Sequence, residues 1–117
     1  YKSQGALLLE KRPSSGIWGG LWSLPELTDA QNLTNFLHSQ YRLKMLETQR
    51  WERFQHSFTH FDLQIQPLCV AVAETAKTTQ KMASNDWLWY NIQQNPPGGM
   101  PAPVVSLLQR FRSLSQY

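Results

Sequence analysis

Short apolar runs along the chain predict buried β-strands. Ala6 to Glu10 (ALLLE) is one such run, Leu21 to Pro25 (LWSLP) a second and Trp87 to Tyr90 (WLWY) a third. A glycine-rich loop joins the first two strands. The polar stretch from Glu74 to Asp86, before the last strand, is expected to be a loop.

Two segments have the 3.6-residue periodicity of amphipathic helices. The first covers Asp29 to Tyr41, with Thr28 as its N-cap and Gln31 as the capping-box partner. The second begins at Pro103, a residue type favoured in the first turn of a helix. The apolar stripes consist of Leu33, Phe36, Leu37 and Tyr41 in the first helix and of Val104, Leu107, Leu108 and Phe111 in the second.

The middle of the chain predicts an antiparallel strand pair, Arg50 to Ser57 with Phe61 to Ala73. The apolar positions change phase at Pro67, which indicates a bulge or a strand that crosses between sheets. Strands that alternate irregularly with two helices define the fold class as α+β, a mixed or antiparallel sheet packed with two helices.

Composition limits the kinds of protein that this chain can be. Its 117 residues are 41% hydrophobic, with a net charge of +3, and fit one domain spanning residues 1–117. The single cysteine, Cys69, excludes an internal disulfide and favours a reducing compartment. The sequence predicts neither a membrane-spanning segment nor a signal peptide. The chain begins without Met, so we expect a domain excised from a longer protein.

Three segments resemble the C-terminal domain of MutY-type adenine DNA glycosylases. RPSSGIWGGLWSLPE (Arg12 to Glu26) is similar to the family's R-P-x-x-G-L-W-G-G-L segment. HSFTHFDL (His56 to Leu63) is similar to H-x-F-S-H-x-x-L. WYN (Trp89 to Asn91), followed by MPAPVVSLL, resembles the family's closing tryptophan strand and its L-x-A-P-V helix. The matches come in the family's order and span nearly the whole chain.

The resemblance implies a Nudix-like fold and a role in base excision repair. It implies recognition of 8-oxoguanine paired with adenine in double-stranded DNA, while a separate N-terminal domain with a catalytic aspartate and a 4Fe–4S cluster removes the adenine. This domain is then not an enzyme on its own, and it holds no cofactor. The implied partners are DNA and the catalytic domain of the same chain, not a membrane. We expect a monomer in the bacterial cytoplasm, on DNA.

The same resemblance assigns the lesion-recognition site. Phe58, Thr59 and His60 take the positions of the family's Phe-Ser-His loop, and Ser57 is an additional candidate. An acceptor opposite N7 suits 8-oxoguanine, whose N7 carries a hydrogen that guanine lacks. The hydroxyl or backbone carbonyl of Thr59 can accept that hydrogen bond, and Phe58 can act as an apolar wedge. Thr59 departs from the usual Ser, because it adds a methyl group and stiffens χ1.

Other chemistries fit the residues less well. An active Nudix hydrolase of oxidised nucleoside triphosphates is the main alternative, but it needs several glutamates for Mg²⁺, whereas after Asp29 the next carboxylate is Glu47. A nucleophile or metal site at His56 and His60 lacks further groups. A third alternative is a protein-interaction domain that binds a clamp or repair partner through its β-rich face. Apart from Trp18, the tryptophans fit core positions better than base-stacking platforms.

Overall fold

A computed structural model describes residues 1–28, 32–83 and 86–114. A 3₁₀ turn at Ser3–Gly5 precedes ten elements. These are β1 (Leu7–Lys11), β2 (Trp22–Ser23), α1 (Leu33–Tyr41), β3 (Leu43–Arg50), β4 (Phe54–Ser57), β5 (Asp62–Ile65), β6 (Leu68–Glu74), α2 (Thr78–Ala83), β7 (Trp87–Tyr90) and α3 (Ala102–Leu114). The strands form a three-stranded sheet of order β2-β1-β7 and two ribbons, β3-β6 and β4-β5, all antiparallel.

Strand β1 divides the core between the two faces of the central sheet. Successive side chains of a strand point to opposite faces. Leu7 and Leu9 therefore pack on the side of α3, and Leu8 packs on the side of α1. The first cluster is Leu7, Leu9, Trp51, Tyr90, Val104, Leu108 and Phe111, and the second is Leu8, Leu33, Leu37, Tyr41, Leu43 and Val72. The α+β class and both predicted apolar stripes are confirmed.

Helix α1 begins later than the sequence predicted. Its N-cap is Asn32, without a side-chain capping hydrogen bond, and Thr28 lies in an exposed bend, so the Thr28 cap was wrong. Asp29 and Gln31, the other parts of that prediction, lie outside the described residues. A capping pattern contributes less than burial of an apolar face, and the buried stripe starts at Leu33.

The predicted long strand pair is two shorter ladders. Strand β3 pairs with β6, and β4 pairs with β5. The break occurs where Pro67 offers no N–H to a ladder and where Trp51 turns into the core. The N–H of Trp51 donates to Pro67 O at 3.1 Å, and Gln66 Nε2 donates to Trp51 O at 2.7 Å. The chain thus remains connected across the break, and β4-β5 forms a hairpin of its own.

The stretch predicted as a loop between Glu74 and Asp86 contains α2, so that prediction was wrong for Thr78–Ala83. Thr78 is 1% exposed and its hydroxyl donates to Arg42 O at 2.7 Å. Arg42 is the left-handed C-cap residue of α1, and its carbonyl also accepts from Thr75 Oγ1 at 2.7 Å. These tertiary hydrogen bonds hold α2 against the end of α1. In the described ranges, no helix has the length and apolar character needed to cross a membrane.

Candidate nucleic-acid interface

The tip of the β4-β5 hairpin carries the predicted recognition residues. Ser57 pairs with Asp62, and the N–H of Phe58 donates to Phe61 O at 2.8 Å. Only Thr59 and His60 lie between Phe58 and Phe61, so these two residues form the turn. The structure thus places all four predicted site residues on one short projection.

The hairpin has one polar face and one half-buried face. Ser57, Thr59 and His60 are exposed, and Phe58 is half-buried. On the polar face, Gln55 Nε2 donates to Ser57 Oγ at 3.4 Å and Gln64 Nε2 donates to Gln55 Oε1 at 2.6 Å. Thr59 and His60 therefore offer a hydroxyl, an imidazole and backbone groups to a partner.

Four rings form an aromatic cluster beneath this tip: Trp18, His56, Phe58 and Phe61. Phe58 stacks on Phe61 with ring centroids 4.6 Å apart at 21° and meets His56 edge-on at 4.8 Å. Trp18 lies 5.6 Å from Phe58 and 5.8 Å from His56. Phe58 therefore has ring neighbours on several sides, whereas Phe61 is 46% exposed.

Trp18 reaches the hairpin from the glycine-rich loop between β1 and β2. Gly20 has φ +75° and its N–H donates to Pro13 O at 3.0 Å. A Cβ on Gly19 would lie 2.5 Å from Ser14 O, so only glycine fits there. Gly19 and Gly20 thus permit the tight course of the chain between β1 and β2.

Arg12 holds the loop from inside. Its Nε donates to Ile17 O at 2.9 Å and its Nη1 contacts Glu26 Oε1 at 2.6 Å. The guanidinium also lies 6.0 Å from the centroid of the Trp18 ring. These contacts hold the Arg12 side chain against the loop.

The groove beside α1, where a Nudix hydrolase would need its metal ligands, is lined by amides and hydroxyls. The lining residues are Glu26, Leu27, Thr28, Asn32, Asn35, Phe36, Ser39 and Gln40. The single carboxylate among them, Glu26, is paired with Arg12. Within the parts of the chain that the structure describes, no three His, Cys, Asp or Glu side chains are grouped to hold a metal ion.

A half-buried carboxyl lies on the same side of the sheet. Tyr41 Oη donates to Glu10 Oε2 at 2.9 Å, and the Trp87 ring lies 4.5 Å from the Tyr41 ring. Burial raises the pKa of Glu10, against the opposing effect of the Tyr41 hydrogen bond, and burial also raises the pKa of Tyr41. Glu10 and Tyr41 thus form a half-buried hydrogen-bonded pair that links β1 to α1.

The sequence motifs located the hairpin tip but not the residues that support it. Trp18 was set apart from the core tryptophans, and the structure agrees, but its contact with Phe58 joins loops that are distant in sequence. Phe61 was taken as part of an alternating strand. No local pattern marks it as the exposed ring, because exposure depends on what packs against it.

The α+β fold agrees with the Nudix-like fold that the resemblance implies, and among the described residues no acidic cluster lines the groove beside α1. The sequence matches the NUDIX domain family over residues 1–110, and the chain belongs to that family.

The chain is also similar to adenine DNA glycosylases of three Buchnera aphidicola subspecies. It is 22% identical over 111 residues to the one from Baizongia pistaciae and 25% identical over 114 residues to the one from Acyrthosiphon pisum. It is 24% identical over 113 residues to the one from Schizaphis graminum. Each match covers 95% of this chain, but the chain spans only 30–31% of the relatives' own length. These matches confirm the resemblance to adenine DNA glycosylases.

Proposed function

We propose that this domain recognises 8-oxoguanine opposite adenine in duplex DNA, within a longer adenine DNA glycosylase. The observation that carries the proposal is the two-residue turn, which presents Thr59 and His60 to solvent above an aromatic cluster. Base edges lie within the grooves of duplex DNA, and side chains on a narrow projection can enter a groove and reach them. The similarity to adenine DNA glycosylases supplies the biological setting.

The chemistry of the turn suits the lesion. 8-Oxoguanine presents N7–H as a donor and O8 as an acceptor, where guanine presents N7 as an acceptor. The Thr59 hydroxyl or its carbonyl accepts from N7–H. That contact needs the anti orientation of the lesion. In the syn orientation N7–H faces the adenine instead, and the 2-amino group turns toward the major groove, within reach of an acceptor on His60. Because both side chains are exposed, no core residue must move for them to make these contacts.

Excision of the adenine is assigned to another part of the longer protein. Among the described residues that line the groove beside α1, Glu26 is the one carboxylate, and it is paired with Arg12. An iron–sulfur cluster does not fit a domain with the single thiol of Cys69. Burial raises the pKa of that thiol, which disfavours the thiolate that binds iron. In this proposal the domain supplies recognition, acts as part of a monomer in the bacterial cytoplasm, and has DNA and the catalytic domain as partners.

The test uses the full-length parent enzyme and the ratio of its dissociation constants for duplexes with A:8-oxoguanine and A:G. Phe58→Ala, Thr59→Ala and His60→Ala should each reduce this preference, by about 1–3 kcal/mol for an important base contact. The triple variant should lose most. Thr59→Ser should be close to neutral because it keeps the hydroxyl.

Ser57→Ala is included in the same series, since Ser57 borders the turn. Phosphate contacts treat both duplexes alike, so affinity for undamaged DNA should hardly change at fixed salt. Thermal unfolding separates recognition from folding defects. A triple variant that folds normally and retains its full lesion preference would refute the proposed site.

A further inference from the structure

The β4-β5 hairpin lies outside both core clusters. Among the described residues that make up or border those clusters, none belongs to β4, β5 or their turn. An isolated two-stranded hairpin is marginally stable in water. The geometry of the turn therefore depends on contacts from a neighbouring segment.

The ring of Trp18 provides such contacts. It lies 5.6 Å from the Phe58 ring and 5.8 Å from the His56 ring. His56 belongs to β4 and Phe58 directly follows this strand, and both side chains are half-buried. Aromatic pairs at such distances contribute beyond the area they bury. Trp18 is itself half-buried, although it lies in a loop.

The backbone of Trp18 is held in an unusual conformation. Its φ is +56°, in the left-handed region that a bulky side chain rarely adopts. The strain is maintained by the surrounding loop: Leu21 N donates to Trp18 O at 3.1 Å, and Arg12 Nε holds the carbonyl of Ile17 at 2.9 Å. Strained residues persist where the surrounding structure determines them, and they cluster at functional positions.

We infer that Trp18 is a positioning residue for lesion recognition: the glycine-rich loop holds its ring against Phe58 and His56 and thereby fixes the turn at Thr59 and His60. The inference rests on the proposed function. It gives the glycine-rich loop the role of positioning the hairpin. Trp18 does not touch DNA in this account. It acts through Phe58, whose N–H closes the turn by donating to Phe61 O.

The experiment compares Trp18→Leu, which removes the ring but keeps apolar bulk, with Trp18→Phe, which keeps a ring. Trp87→Leu is the matched control, because Trp87 is also half-buried but packs on Tyr41 instead of the hairpin. All variants are made in the full-length protein. Hydrogen exchange of the peptide covering residues 54–62 reports the hairpin without any DNA.

Trp18→Leu should accelerate exchange in this peptide by about tenfold. It should also lower the preference for A:8-oxoguanine over A:G by roughly threefold to tenfold, with affinity for undamaged DNA retained. Trp18→Phe should restore most of both. Trp87→Leu should lower the thermal midpoint while leaving hairpin exchange and lesion preference unchanged.

Unchanged hairpin exchange in Trp18→Leu would overturn the inference, and so would faster exchange with full lesion preference. Equal loss of preference in Trp87→Leu also overturns it, because the effect would then be general destabilisation. A wild-type protein without lesion preference would refute the proposed function, and with it the role of Trp18 in recognition. In that case the exchange data still decide whether Trp18 holds the hairpin.

Discussion

Two phenylalanines at the hairpin tip have different surroundings and therefore different tasks. Phe58 is half-buried between Trp18, His56 and Phe61, whereas Phe61 rests on Phe58 with 46% of its surface exposed. The sequence pattern assigned the apolar wedge to Phe58. In the structure the ring that faces solvent next to the turn is that of Phe61.

Phe61→Ala should weaken binding to the lesion duplex by about 1–3 kcal/mol if its ring stacks on a base. It should affect unfolding little, because the ring is exposed. Phe58→Ala should instead lower stability as well, since the other three rings of the aromatic cluster lose a neighbour. Dissociation constants and thermal unfolding are measured side by side. Ile17→Ala, at a similarly exposed apolar residue (39%), is the control. Equal affinity of Phe61→Ala and wild type would contradict the stacking role.

Glu10 provides a prediction about pH. Burial raises the pKa of its carboxyl, with Glu26 adding to this effect. The folded state thus binds this proton more tightly than the unfolded chain. The associated stability is complete below the ordinary glutamate pKa and is lost as pH rises through the raised value.

Glu10→Gln should remove this dependence while keeping an acceptor for Tyr41. The variant should exceed the wild type in unfolding free energy near neutral pH by less than about 1 kcal/mol, because water screens the exposed part of the group. The two should converge at acid pH. Denaturant unfolding from about pH 4 to about pH 8 measures this. Glu52→Gln, at an exposed position, serves as control. Parallel curves for Glu10→Gln and wild type would show that folding does not raise the pKa of Glu10.

Sequence motifs were enough to place the recognition residues in one turn, because Phe58, Thr59 and His60 are adjacent in the chain. They could not assign a function to Trp18. Its contact partner lies forty residues further on, and no periodicity relates the two. Whether the recognition residues bind the lesion stays a prediction.

At the scale of elements, the glycine-rich loop behaves as a support and not as a flexible connection. It is closed by Arg12 N donating to Leu21 O at 2.9 Å and by Gly20 N donating to Pro13 O at 3.0 Å. Gly19 packs so closely on Ser14 O that no side chain fits. The conformation of the loop is thus fixed on both sides of Trp18.

Gly19→Ala should destabilise the protein by about 1–3 kcal/mol, because backbone atoms cannot yield as a flexible side chain would. A shift of the loop should also carry Trp18 away from the hairpin and speed exchange in residues 54–62. Ser15→Ala, at an exposed position of the same loop, should do neither. Unchanged unfolding of Gly19→Ala would mean that the loop adapts easily.

Strands and helices with a strong apolar pattern were predicted well, and elements held by tertiary hydrogen bonds were not. Strands β1 and β7 and helix α3 follow from their apolar positions, and Pro67 correctly marked the break in the long strand pair. Helix α2 was missed because Thr78 is buried by its hydrogen bond to Arg42 O, a contact that the local sequence does not reveal.

At the scale of the whole molecule, the two core clusters stabilise a Nudix domain, and the described residues that line the groove beside α1 include no acidic cluster. The purified domain should therefore not hydrolyse 8-oxo-dGTP with Mg²⁺ or Mn²⁺. Release of phosphate or nucleoside monophosphate is the measurement. Turnover at about 1 s⁻¹ or faster, abolished by Asp29→Asn, would identify an enzyme and contradict the proposal.

The geometry of the hairpin turn has a consequence for how specificity could change. Thr59 and His60 are not among the residues with positive φ, so this turn does not need the glycine or asparagine that primed hairpin turns require. Most pairs of amino acids can therefore occupy it without backbone strain, while Phe58 and Phe61 keep the strands in register. The two turn residues can therefore vary while the strands that support them stay the same. Selection, in evolution or in a randomised library, could redirect the domain to a different damaged base by changing those two codons alone.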